Sequence, residues 1–212
     1  INGNMLHFLE NHDEQRIASP DFAGSGWKIV PAMVVSATID QGPVMIYFGQ
    51  EVGEPGAGAE GFGGKDGRTT IFDYWGVPEH QKWMNGGAFD GGLLSEPQKS
   101  LRQFYGTLLN LAQTNPAIVS GAYADLTVSD DIHAFVRSSG PEKLLIVSNF
   151  GSKVKPVSVT IPAELATSLS LKADKTYQLR DLLWKNSNQK LTARTLSMNL
   201  PAYSAYIFKI EE

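Results

Sequence analysis

The chain has 212 residues, of which 42% are hydrophobic and 19% are charged, and its formal net charge at pH 7 is −4. This composition is ordinary for a globular protein with one large or two modest domains, and the negative charge argues against a nucleic-acid-binding surface. The sequence has no cysteine, which excludes disulfides and thiolate metal sites. No apolar run reaches the roughly 20 residues that a membrane-spanning helix needs.

The N-terminal sequence, INGNMLHF, has neither an initiator methionine nor the pattern of a signal peptide. An apolar segment follows almost at once. We therefore expect the chain to be one part of a longer protein, and its first residues do not predict a cellular compartment.

The first half of the chain predicts alternating strands and helices. NMLHFL at residues 4–9 and VMIYF at 44–48 are mostly apolar, which predicts two strands covered on both faces. Between them, an almost continuously apolar stretch predicts a buried helix over about 25–40, with Pro31 either in its first turn or at a kink. A strand, a helix and a strand in this order form a βαβ unit, which implies a parallel sheet.

A glycine-rich segment and a second helix follow. Residues 42–92 hold 14 of the 21 glycines, with aromatic residues between them. Flexible linkers lack aromatic residues, so we expect a functional loop over 49–95 without regular elements of its own. Ser95-Glu96-Pro97 is a typical helix start, and apolar residues at helical spacing extend that helix to about Asn115.

Beyond Pro116 the hydrophobic pattern changes to a period of two, which is typical of strands. No helical pattern interrupts it, so we predict an antiparallel sandwich and a domain boundary near residue 116. The predicted strands are YADLTVSD, DIHAFVRSS, KLLIVSNF, KPVSVTIP, TYQLRDLL and AYSAYIFKI.

Polar residues follow both predicted strands of the first half. Asn11, His12 and Asp13 come directly after the first strand, and Gln50 and Glu51 after the second. In barrels and open α/β sheets this edge carries the chemistry. A turn in which Asn and Asp bond to backbone amides explains the N-H-D triplet equally well by position alone. Metalloprotease, phosphate-loop and serine-hydrolase motifs are absent from the sequence.

Two segments in this order, FLENHDE and GPVMIYFGQEVGEPG, resemble the end of the catalytic barrel of glycoside hydrolase family 13, the α-amylase family. The N-H-D triplet resembles the fourth conserved region of that family, at barrel strand seven, and the second segment resembles strand eight and its loop. The resemblance implies an α/β plus all-β fold class. It places the last two β/α units of a TIM-type (β/α)8 barrel at 1–115, including the loop 49–95, and an antiparallel Greek-key β-sandwich at 116–212.

The resemblance also implies roles for individual residues. Asp13 would be the carboxylate that stabilises the transition state, and His12 and Asn11 would bind the same sugar. An anion stabilises an oxocarbenium-like centre, and hydrogen bonds to sugar hydroxyls strengthen as the ring flattens. The further candidates for substrate binding are Gln50, Glu51 and Arg68.

Retaining glycosidases also need a nucleophile and a general acid about 5–5.5 Å apart. In the family these lie on strands four and five, and the nucleophile's G-x-R-x-D-A pattern does not occur in this chain. We therefore expect an inactive part of an enzyme that hydrolyses α-1,4-linked glucans such as starch and maltooligosaccharides. A transferase or branching enzyme of the same family would use the same Asp13. A non-catalytic carbohydrate-binding or structural module is the third alternative.

The aromatic residues of the loop bear on that third alternative, because they either stack on sugars or pack the loop. Packing is the interpretation that we favour for most of them. They are Phe72, Tyr74, Trp75 and Trp83.

The implied partners and cofactors complete the expectation. The partner is an α-glucan, with neither nucleic acid nor a membrane span, and no cofactor or metal is implied in this chain, although calcium is compatible with the full-length parent. Unpaired edges of the two barrel strands predict self-association of the chain through 4–9, 44–48 or the helix between them. A polysaccharide-degrading parent favours a secreted or periplasmic location.

Overall fold

The structure is a computed structural model that describes residues 5–58, 66–72, 76–126 and 128–212. The chain divides into two compact units. Residues Val30–Gln41 and Leu108–Glu212 form one, which we call the sheet unit. Residues Met5–Ile29 and Gly42–Thr107 form the other, the loop unit. The predicted division into domains at 1–115 and 116–212 stays a prediction.

The sheet unit contains eight antiparallel strands in the order β1-β2-β3-β8-β5-β6-β7-β4. Each of the six predicted segments overlaps one of them, which confirms the antiparallel part of the fold. The strands form one curled sheet around a shared core, a sandwich-like arrangement. They are β1 (Ala122–Asp125), β2 (Ile132–Ser139), β3 (Glu142–Asn149), β4 (Lys155–Thr160), β5 (Tyr177–Asp181), β6 (Gln189–Thr192), β7 (Thr195–Leu200) and β8 (Ser204–Glu211).

The core of the sheet unit is apolar. In β5, buried and exposed residues alternate along the strand, as expected for a sheet with one face on the core and one in water. Leu145, Leu179 and Phe208 are fully buried, and they belong to one hydrophobic cluster that includes residues of β2 to β8. Burial of this apolar surface stabilises the unit without requiring particular bond directions.

Sequence analysis missed the β6–β7 hairpin. Thr192 and Thr195 pair across a two-residue turn, in which Ala193 and Arg194 have φ values of 47° and 66°. Turns of this kind usually show Asn-Gly or Asp-Gly, so Ala-Arg gave no signal. The expectation that no helix interrupts the strands is also wrong, because α5 (Ala163–Ser168) lies between β4 and β5.

The predicted buried helix is confirmed as a 3-10 turn, Gly26–Ile29, followed by α1 (Val30–Thr38). Pro31 lies in the first turn of α1, where its missing N–H breaks no helical bond. Within the sheet unit, the carboxyl end of α1 is bonded to Arg137 of β2. This buried guanidinium donates to the carbonyl oxygens of Ile39 at 2.8 Å and Ile118 at 2.7 Å, and it donates to Ala117 as well.

The remaining helices are α2 (Pro78–Met84), α3 (Glu96–Thr114) and α4 (Pro116–Val119). α3 confirms the helix predicted from Ser95, whose backbone N–H and hydroxyl both donate to the side-chain Oε1 of Gln98 at 3.1 and 2.9 Å. α2 lies within 49–95, so the expectation of a loop without regular elements is wrong. None of the helices in the described part of the chain is long and apolar enough to cross a membrane.

The two predicted barrel strands are not regular strands in this structure. A single parallel bridge joins His7 to Val44, and Met5, Leu6 and Phe8 are exposed by 42% to 55%. The expectation of burial on both faces is therefore wrong for these residues, because a bridged neighbour pairs with the edge of a segment and does not cover its faces. Asn4 lies outside the described residues. The TIM-type barrel units are not confirmed, and self-association through these segments stays a prediction.

Candidate active site

The N-H-D triplet forms a tight turn in the loop unit. The side-chain oxygen of Asn11 accepts hydrogen bonds from the backbone N–H groups of Asp13 at 2.8 Å and Glu14 at 2.9 Å. This is the local bonding that favours Asn in turns. The turn explanation therefore accounts for Asn11. It does not account for His12 and Asp13, whose side chains make no such bond to the turn.

His12 and Asp13 project from this turn side by side. The His12 Nε2 and Asp13 Oδ1 atoms are 3.5 Å apart, and the two side chains are 49% and 73% exposed. An exposed imidazole beside an exposed carboxylate can donate to and accept from neighbouring hydroxyls of a polyol. The pair is therefore placed to meet a ligand from solvent.

The residues on either side of the turn in the sequence form a buried ion pair that sequence analysis did not identify. Glu10 accepts from Arg16 Nη1 at 2.9 Å and from the Ile17 N–H at 2.8 Å, and both charged side chains are buried. Burial raises the pKa of Glu10, while the charge and hydrogen bond of Arg16 and the Ile17 N–H act in the opposite direction. The sequence signal for this ion pair was a Glu directly before the triplet and an Arg shortly after it. Both lie in a segment that begins with apolar residues.

A second segment, Asp66 to Thr70, lies against the turn segment. The Arg16 N–H donates to the Gly67 carbonyl at 2.8 Å. Gly67 has φ +70°, and a β-carbon there would come within 2.5 Å of Gln15 Cγ. Only glycine permits so close an approach at this backbone conformation.

This contact brings Arg68 into the electrostatic reach of Asp13. The pKa of Arg68 is raised first by its hydrogen bond with Asp66, and also by the negative charges of Asp66, Asp13 and Glu14. The Nη2 of Arg68 donates to Asp66 Oδ2 at 2.8 Å. The charge of Asp13 thus acts on Arg68, and a role of Arg68 in substrate binding stays a prediction.

Gln50 and Glu51 have different surroundings. Gln50 is buried, its amide nitrogen donates to the Tyr105 hydroxyl at 3.0 Å, and its oxygen accepts from the Tyr47 N–H at 3.3 Å. Glu51 is partly buried, and its Oε2 has no hydrogen-bond partner among the described residues. The side chain of Gln50 is therefore engaged within the protein, and a role in substrate binding stays a prediction for both residues.

The aromatic residues of the glycine-rich segment divide between packing and exposure. Trp83 packs against Phe89, with ring centroids 5.6 Å apart, and Arg102 lies 4.8 Å from its ring centroid. Phe72 is 76% exposed. Tyr74 and Trp75 lie outside the described residues. The packing interpretation therefore holds for Trp83, whereas the ring of Phe72 is exposed to solvent.

Within residues 5–58, 66–72, 76–126 and 128–212, no group of three or more His, Asp or Glu side chains could hold a metal ion. The candidate site consists of the exposed His12–Asp13 pair, together with the partly buried guanidinium of Arg68, whose pKa the charge of Asp13 helps to raise. Such a set suits hydrogen bonding to vicinal hydroxyls, and the carboxylate can stabilise a positive charge that develops nearby.

Similarity to known proteins is found in the comparison of structures. No protein-family model matches the chain, and no curated protein matches its sequence. Solved structures do resemble it. AmyP in complex with maltose is 20% identical at a TM-score of 0.66, over 96% of this chain and 40% of AmyP.

Two further neighbours are enzymes from named organisms. The α-amylase from Geobacillus thermoleovorans, complexed with acarbose, is 19% identical at a TM-score of 0.64, over 99% of this chain and 39% of that enzyme. The native debranching enzyme of Nostoc punctiforme is 23% identical at a TM-score of 0.59, over 97% and 35%. Similarity at this level shows a shared fold. The chain spans about 40% of the length of the solved structures that it matches, as expected for their C-terminal part.

Proposed function

We propose that the chain is the C-terminal part of an enzyme of glycoside hydrolase family 13 and that the parent cleaves α-1,4-linked glucans such as starch and maltooligosaccharides. The observation that carries the proposal is the exposed His12–Asp13 pair on a turn fixed by Asn11. The structural neighbours support it, since AmyP binds maltose and the α-amylase from Geobacillus thermoleovorans binds acarbose.

In this proposal Asp13 is the third catalytic carboxylate. Its negative charge stabilises the positive charge that develops at the anomeric carbon, and its oxygens accept hydrogen bonds from sugar hydroxyls. His12 binds the same sugar through its ring nitrogens. Arg68 contributes a partly exposed guanidinium, whose Nε and Nη2 donate to Asp66.

The nucleophile and the general acid come from a part of the parent outside these 212 residues. A single carboxylate that stabilises the transition state cannot form the glycosyl-enzyme intermediate or protonate the leaving oxygen. The 212-residue chain alone should therefore release no reducing sugar from starch. Release that disappears when a residue of this chain is mutated would contradict this division of roles.

The proposal is tested by Asp13→Asn in the full-length parent. The amide keeps the shape and loses the charge, so kcat on starch should fall on the order of 10²–10³-fold while the fold is retained. His12→Ala should lower kcat less, since it removes hydrogen bonds and no charge. Asp21→Asn, which changes an exposed carboxylate of the same unit, is the matched control and should leave kcat unchanged. A near-normal kcat for Asp13→Asn would refute the role.

A second candidate activity is that of a debranching, branching or transferase enzyme, which differs in the glycosidic bond that is cleaved or formed. The Nostoc punctiforme neighbour is described as a debranching enzyme. A debranching, branching or transferase parent would use Asp13 in the same way. Product analysis with linear maltooligosaccharides against pullulan, which contains α-1,6 bonds, separates these activities.

A further inference from the structure

Arg16 is a buried cation in a loop region with few regular elements. Its side chain is 0% exposed, and three of its nitrogens donate hydrogen bonds. Nη1 donates to Glu10, Nη2 donates to the Phe48 carbonyl at 2.8 Å, and Nε and Nη2 donate to Thr69 Oγ1 at 3.0 and 2.8 Å. The guanidinium also lies 4.1 Å from the centroid of the Tyr47 ring.

These four partners come from three separate segments of the loop unit. Glu10 directly precedes the N-H-D turn, Tyr47 and Phe48 precede Gln50, and Thr69 follows Arg68. A second tie to the Thr69 segment is formed by the Tyr47 hydroxyl, which donates to the Thr69 carbonyl at 3.1 Å. One side chain therefore links the segments on which the sequence-predicted site residues stand.

The chemistry of arginine explains why one residue can do this. The planar guanidinium offers five N–H donors in a fixed geometry, whereas a lysine ammonium in the same place would bond to fewer of these acceptors. A buried charge is costly unless it is paired and hydrogen-bonded, so the three segments are favoured only when they surround the cation in this arrangement. The buried cation thus fixes their mutual positions.

We propose that Arg16 is a positioning residue, which holds the Asp13 turn and the Arg68 segment in the arrangement that a ligand meets. The identity of that ligand, an α-glucan, rests on the proposed function, while the positioning rests on the Arg16 contacts alone. The relative positions of the Asp13 turn and the Arg68 segment are then set by the protein before binding.

Thr69→Val tests the positioning in the 212-residue chain. The substitution removes the hydroxyl that accepts from Arg16 and leaves the Arg16–Glu10 pair in place. Hydrogen exchange measured by mass spectrometry should then be about tenfold faster in residues 66–72 and unchanged in β5 and β8. Thr69→Ser keeps the hydroxyl and should restore exchange close to that of the unmodified chain.

Two results would overturn the positioning role. Thr69→Val could leave exchange of 66–72 unchanged, or it could accelerate exchange equally in β5 and β8, which would mean general destabilisation. Arg16→Met removes all three links at once and should speed exchange of residues 11–17 as well. Arg180→Met is its matched control, because Arg180 makes the same type of carboxylate contact on the exposed surface of the sheet unit.

Acarbose provides a separate readout for the ligand. On titration, the amide NMR signals of His12, Asp13 and Arg68 should shift in the unmodified chain. Thr69→Val should weaken the apparent affinity about threefold to tenfold, and Thr69→Ser should restore it. If exchange responds as expected and acarbose shifts none of these signals, the positioning role is supported and the carbohydrate function is contradicted. Unchanged exchange refutes the positioning role whatever acarbose does.

Discussion

Both units bury apolar and polar side chains, but the sheet unit buries many more apolar residues for each polar one than the loop unit does. The core of the sheet unit is a continuous apolar cluster from β2 to β8. The loop unit buries several polar and charged side chains, which are Glu10, Arg16, Ser19, Gln50, Glu54 and Thr69. Apolar burial is non-directional, whereas hydrogen bonds stabilise only particular arrangements. Apolar burial therefore suits a scaffold. Hydrogen bonding suits segments whose side chains must be held in particular orientations.

Glu54 illustrates how the loop unit is ordered without long strands or sheets. Its carboxylate accepts from the N–H of Gly56 at 2.9 Å and from the N–H of Glu79 at 3.0 Å. Buried backbone N–H groups need partners, and here a side chain takes the place of a neighbouring strand. The difference between the units can therefore be probed by removing apolar area in one and polar contacts in the other.

The largest expected effect is on the apolar core. Phe208→Ala removes a fully buried ring from β8, and should lower the free energy of unfolding of the sheet unit by about 3–5 kcal/mol. Urea-dependent hydrogen exchange in β2, β3 and β5 measures it. Val154→Ala, at a side chain that is 63% exposed, should change stability by less than about 0.5 kcal/mol. A loss below about 1 kcal/mol for Phe208→Ala would contradict the dominance of apolar burial.

An intermediate effect is expected at the one buried arginine of the sheet unit's described residues. Arg137→Met keeps much of the side-chain volume and leaves the carbonyls of Ile39, Ala117 and Ile118 without this donor. The unit should lose about 1–3 kcal/mol, measured by urea unfolding, because unsatisfied buried carbonyls are destabilising. Equal losses for Arg137→Met and for the exposed Arg180→Met would show that these bonds contribute little.

The smallest effect on stability is expected from ion pairs at the surface, and one pair is chosen from each unit. The hydrogen bond from Arg68 lowers the pKa of Asp66 below its ordinary value of 3.8, and that from Arg180 lowers the pKa of Glu211 below 4.5. Since both pKa values are lowered, each pair stabilises the fold above its ordinary pKa, and the contribution disappears as pH falls through the lowered pKa.

Carboxyl-carbon NMR titration of two variants tests these pairs. Arg68→Met should raise the pKa of Asp66, and Arg180→Met should raise that of Glu211, each toward its ordinary value. Matching shifts would show that surface pairs behave alike in both units and that the units differ in their interiors. An Asp66 pKa that does not move would mean that Arg68 is held by other groups than Asp66.

Much of the fold could be predicted from local patterns. The alternation in TYQLRDLL predicted β5, Ser95-Glu96-Pro97 predicted the start of α3, and the apolar stretch around Pro31 predicted α1. The N-H-D triplet, at the end of an apolar segment, indicated both the Asn11 turn and the exposed His12–Asp13 pair. Each of these features depends on residues within a few positions of one another, which sequence patterns report directly.

Burial on both faces of 4–9 and 44–48 was a different kind of inference. An apolar pattern predicts that a segment is suited to burial, but burial requires other elements, such as helices, packed against its faces. Met5 and Leu6 are exposed, and among the described residues one bridge, between His7 and Val44, joins these segments. The apolar pattern predicted a tendency to be buried, and the structure leaves Met5 and Leu6 exposed.

By itself, the sequence determined the kinds of element and the residues available for chemistry, because helical and strand periodicity and turn bonding act over short distances along the chain. Only the tertiary structure decided which of those residues act together. Arg16 and Thr69 are 53 positions apart, yet they share two hydrogen bonds. Hydrogen bonds form between groups that are close in space. A local sequence pattern does not indicate which distant segment lies beside a buried guanidinium.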